Sequence, residues 1–82
     1  MHELSIKRSA QKQLAALPRV MQQRIIEHLC KLRDHPHPQN SKKLVGYDDL
    51  YRLHIGDCRA VYQLDGESIL VAWIGHRRDA YR

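Results

Sequence analysis

The sequence predicts an α+β domain in which two N-terminal helices pack on one face of a small, mainly antiparallel four-stranded sheet. The first half places apolar residues at helical spacing, and the second half alternates them between glycine-bearing turns. Residues 1–82 are read as a single domain, because a chain of this length supports one modest core.

His2 to Ile6 alternates polar and apolar side chains and reads as the first strand. Ser9 is assigned as the cap of a helix in which Ala10, Leu14 and Leu17 share a face. Pro18 suits the first turn of a second helix, where its missing N–H is no loss. Met21, Ile25, Leu29 and Leu32 then recur at helical spacing to about Arg33, a stripe assigned to the core rather than to a partner groove. Asp34 to Ser41 reads as loop, stiffened by Pro36 and Pro38. Leu50 to Ile55, Cys58 to Leu64 and Ser68 to Gly75 supply the remaining strands, with Gly56-Asp57 and Asp65-Gly66 as two-residue turns.

These turns set registers. If Gly56-Asp57 is the loop, Ile55 pairs with Cys58, His54 with Arg59, Leu53 with Ala60 and Arg52 with Val61. Opposed residues share a face, and so do residues two apart along a strand. Arg52, His54 and Arg59 therefore project from one side, joined by Gln63, Ser68 and, if the pleat extends that far, His76. The other side holds Tyr51, Leu53, Ile55, Ala60, Tyr62, Leu64, Ile69, Val71 and Trp73, a core face for the helices.

The formal charge of +5 favours an acidic partner. No apolar run is long enough to span a bilayer and no charged-then-apolar leader opens the sequence, so a cytoplasmic protein without membrane contact is expected. Cys30 and Cys58 form no CxxC pair and are read as free thiols. The histidines at 2, 28, 35, 37, 54 and 76 lack ligand spacing, so neither a metal nor any other cofactor is expected. The final residues, His76-Arg77-Arg78-Asp79-Ala80-Tyr81-Arg82, gather phosphate-seeking groups at the end of an apolar strand and point to RNA.

Lys43-Leu44-Val45-Gly46, Leu50-Tyr51-Arg52-Leu53, Gly56-Asp57-Cys58-Arg59-Ala60-Val61-Tyr62 and Gly75 to Arg82 together resemble the RelE/ParE superfamily of toxins, most closely its RelE-like branch. The helical run ending at Pro18 is similar to that family as well. The resemblance implies a RelE-like fold and the toxin of a type II toxin–antitoxin pair. It implies a metal-independent endoribonuclease that cuts messenger RNA on the ribosome, and a cognate antitoxin that binds it in a hetero-oligomer. Its catalytic residues would be Arg52, His54, Arg59, Arg77 and Tyr81, with Lys42, Lys43, His76, Arg78 and Arg82 binding RNA. Either His54 or Tyr81 could be the general base. The chain departs from well-studied members in carrying Arg52 and His54 where they carry lysine, and Cys58 where an aromatic residue is common. ParE-like members share the scaffold but act on DNA gyrase, and an inactive, antitoxin-binding member is the remaining alternative.

Overall fold

The backbone's demand for hydrogen bonds, together with the apolar alternation, builds a five-stranded sheet rather than the expected four. The computed structural model describes residues 2–76. Along the chain run β1 (Glu3–Ile6), α1 (Arg8–Ala15), α2 (Arg19–Leu32), β2 (Ser41–Lys43), β3 (Leu50–Ile55), β4 (Cys58–Asp65) and β5 (Ser68–His76). The spatial order is β1-β5-β4-β3-β2, with β1 parallel to β5 and the other pairs antiparallel. The additional strand is β2, whose Ser-Lys-Lys sequence carries no apolar alternation. Its pairing with β3, Ser41 to Leu53, Lys42 to Arg52 and Lys43 to Tyr51, is a backbone matter.

Both helices cover one face. α1 begins after Lys7, so Ser9 lies inside the helix instead of capping it. The Gln11 side chain reaches back to the Ile6 carbonyl at 2.8 Å. Ala10, fully buried, lets α1 approach β5 closely. Pro18 stands at the start of α2, and Gln22 Nε2 donates to the Leu17 carbonyl at 2.7 Å, tying the helix to the turn before it. Ile25, Leu29 and Leu32 of α2 meet Leu53, Ile55, Ala60, Tyr62, Ile69 and Val71 of the sheet in one core. The expected core stripe of α2 is therefore the observed one, with Met21 packed partly buried at its edge.

The β3–β4 register is the expected one at every pair named above. In β4–β5 two things differ. Gly56 and Gly66 both have positive φ, +60° and +59°, and among the described residues no non-glycine residue does. The second turn is thus Gly66-Glu67, with glycine first, and Asp65 pairs with Ser68. This moves the register by two residues, an even step that leaves Ser68 to Val71 on their expected faces. The second difference is a bulge: Val61 pairs with Trp73 while Tyr62 pairs with Val71, so Ala72 has no opposite residue. Beyond it the faces exchange. Ile74 takes the core position, 1% exposed, and Trp73 passes to the other side of the sheet.

At Gly66 a built Cβ would meet nothing within 4 Å, so only the backbone conformation resists substitution. Gly66→Ala is expected to lower stability by about 1–2 kcal/mol, read as a lower urea midpoint at unchanged slope. An unchanged midpoint would mean that the turn can relax to negative φ.

Candidate functional site

The face away from the helices gathers cationic side chains from three neighbouring strands. Lys42 of β2 stands opposite Arg52 of β3, and His54 of β3 stands opposite Arg59 of β4. Arg52 and His54 are two apart on one strand and share that face. Directly opposed like charges destabilise a sheet, so this arrangement favours binding an anion over holding the fold. Arg52, His54 and Arg59 are half-buried at the strand level, whereas Lys42 is exposed. Four of the expected residues within residues 2–76, Lys42, Arg52, His54 and Arg59, are thus brought to one face, Lys42 through a strand that the apolar pattern did not reveal.

His54 has the distinctive chemistry here. Its partial burial pushes the imidazole below its ordinary 6.5, and the charges of Arg59, Arg52 and Lys42 lower it further. The ring is thus held neutral at neutral pH and able to accept a proton, next to groups that attract phosphate. Its backbone is clamped on both sides by one residue. The His54 N–H donates to the Asn40 carbonyl at 2.9 Å, and Asn40 Nδ2 donates to the His54 carbonyl at 2.6 Å. Asn40 Nδ2 also lies 3.5 Å from His28 Nδ1. Asn40 falls in the segment expected to be loop; an asparagine just before a strand can satisfy two backbone groups, which is the signal it carries.

Other expected residues are not brought to this face. Lys43 stands opposite Tyr51, on the helix-covered side. His76 stands opposite Cys58, on the helix-covered side, and the end of β5 from Trp73 to His76 lines a cleft with Gln13, Ala16 and Leu17 of α1 and the turn after it. The bulge at Ala72 is the reason: it reverses the side on which the end of β5 projects, so His76 does not join Arg52, His54 and Arg59 as the uninterrupted pleat implied. Arg77, Arg78, Tyr81 and Arg82 lie outside the described residues.

Cys58 is not a nucleophile of this site. It is buried on the core face with its thiol 3.9 Å from Met21 Sδ, and burial together with Asp57 pushes its pKa up. Cys30 is also a free thiol, exposed on α2. Among the described residues no three His, Cys, Asp or Glu side chains gather as a metal ion would need. None of the described helices is long and apolar enough to cross a membrane.

With this geometry in view, the chain can be set beside known proteins. Residues 4–81 match a family model described as the ParE toxin of type II toxin–antitoxin systems, parDE. No curated protein sequence matches. Among solved structures, the archaeal RelE–RelB complex from Pyrococcus horikoshii is similar at 28% identity and a TM-score of 0.82, over 93% of this chain and 94% of that one. The toxin–antitoxin complex RelBE2 from Mycobacterium tuberculosis gives 19% identity and 0.82, over 93% and 98%. The isolated RelE toxin of E. coli gives 22% identity and 0.80, over 93% and 84%.

Proposed function

The chain belongs to the ParE toxin family of type II toxin–antitoxin systems, within the RelE/ParE superfamily, and we propose that it is a ribosome-dependent, metal-independent endoribonuclease that cuts messenger RNA and so stops translation. The observation that carries this is His54, an imidazole with a lowered pKa standing among Arg52, Arg59 and Lys42.

Cleavage without a metal needs a base, an acid and positive charge at the phosphorus. Neutral His54 takes the proton of the 2′-hydroxyl. The 2′-oxygen then bonds to phosphorus, the bond from phosphorus to the 5′-oxygen breaks, and that oxygen takes a proton. Arg52, Arg59 and Arg77 hold the negative charge of the crowded intermediate with forked, permanently charged guanidinium groups. With His54 suited to the base, Tyr81 is left the acid. The products are a 2′,3′-cyclic phosphate and a 5′-hydroxyl. A basic surface holds RNA with little sequence preference, so the ribosome supplies the alignment that makes one phosphate reactive.

The cationic face also fits a partner that neutralises it. A cognate antitoxin presenting acidic residues would cover Lys42, Arg52 and Arg59 and block the substrate, in a hetero-oligomer such as those of the RelE–RelB and RelBE2 complexes.

The ParE description of the family model favours a second reading, a poison of DNA gyrase. Expression without antitoxin separates the two. Transcript 5′ ends mapped inside translated codons, with Arg77→Ala and Tyr81→Phe relieving growth arrest, are expected. A DNA-damage response without such ends would replace the proposal by the gyrase reading.

A further inference from the structure

The side of the sheet that bears the cations has a second half of different character. On β4 and β5 it presents Val61, Leu70 and Trp73, with Leu70 36% exposed. Trp73 reaches this side because of the bulge at Ala72, and it lies opposite Val61. Gly75, two residues on, lies opposite Arg59. A Cβ built on Gly75 would come within 2.6 Å of Trp73 Cζ2 and 2.7 Å of Cη2. The indole therefore lies along the strand over Gly75, beside the row that contains Arg59, and the missing side chain at 75 is what lets it lie there.

We infer that Trp73 is a stacking platform for one unpaired base of the RNA whose phosphates are held by Arg52, Arg59 and Lys42. Single strands are bound in this way, with a cationic track for the backbone and an aromatic ring for a base beside it. A duplex would keep its base faces stacked inside and could use only the cations, so the aromatic ring selects a single strand. This inference rests on the RNA reading given above, to which it adds a base-binding subsite.

Trp73 is the only tryptophan in the chain, so its own fluorescence reports on the contact. The purified full chain is titrated at low salt with a short, end-labelled single-stranded RNA. Anisotropy of the label reads binding, and tryptophan emission, excited where tyrosine does not absorb, reads stacking. The expected result is quenching that follows the anisotropy curve and is lost with an oligomer of abasic sugars carrying the same phosphates. Trp73→Leu is expected to weaken binding by roughly tenfold, Trp73→Phe by less, and Gly75→Ala to reduce quenching by displacing the ring. RNA bound without a change in emission, or equal quenching by the abasic oligomer, overturns the platform alone and leaves the RNA reading standing. No binding at all overturns both.

Discussion

His54→Ala is expected to slow single-turnover cleavage on the ribosome by about 10²–10⁴-fold, the usual contribution of a positioned general base, with the fold intact. Three cations, Lys42, Arg52 and Arg59, share its face. Burial and the charges of Arg59, Arg52 and Lys42 all lower the imidazole below 6.5. The wild-type rate should therefore rise with pH on the acid side, as His54 loses its proton, and level off already below that value. His54→Ala should abolish this acid limb together with most of the rate. Arg59→Ala offers a separate check. Removing a cation that lowers the pKa must raise it, so the limb should move to higher pH as the rate falls through loss of phosphate contact. A limb that stays in place would show that Arg59 and His54 are not coupled, and a His54→Ala enzyme of full activity would assign the base elsewhere.

The register that makes this argument possible was legible because Gly56-Asp57 pins it. A two-residue turn with glycine leaves one pairing, and His54 then opposes Arg59. The face assignment of β5 was not legible past Ala72. A bulge adds one residue without any mark in composition, and Trp73, apolar and in step with Val71, read as core. The turn at Gly66 was misplaced by one residue without harm to the faces, since the register moved by an even number. β2 was invisible for a different reason. Ser41, Lys42 and Lys43 form a strand because β3 has an open edge to satisfy, and hydrophobic patterning has no part in it. That missed strand carries Lys42 into the site, and the residue just before it, Asn40, holds the backbone of His54. Sequence patterning thus placed the half of the cationic face fixed by a turn, and missed the half fixed by edge hydrogen bonds.

The Asp34–Asn40 loop that supports this edge depends on Tyr62, and Tyr62→Ala is expected to cost about 3–5 kcal/mol. For a chain of 82 residues, whose whole stability is about 4–12 kcal/mol, that is enough to leave a large unfolded population. Tyr62 is fully buried between the sheet and the loop. Its ring stacks on Tyr51 at 5.5 Å between centroids, and Tyr51 in turn meets the edge of His37 at 5.0 Å. Its hydroxyl donates to the Pro36 carbonyl at 2.7 Å, and burial holds the phenol well protonated, with Ser41 partly offsetting the shift. Tyr62→Phe keeps the stacking and removes only that bond, so it should cost about 1–2 kcal/mol, seen as a lower urea midpoint. The same substitution frees Pro36, four residues before Asn40, and should speed hydrogen exchange at the His54 amide, whose partner is the Asn40 carbonyl. Faster exchange there with an unchanged rate at Leu53 would trace the coupling from core tyrosine to loop to β3. Equal acceleration along all of β3 would instead mean that Tyr62 supports the fold as a whole and has no particular hold on the site.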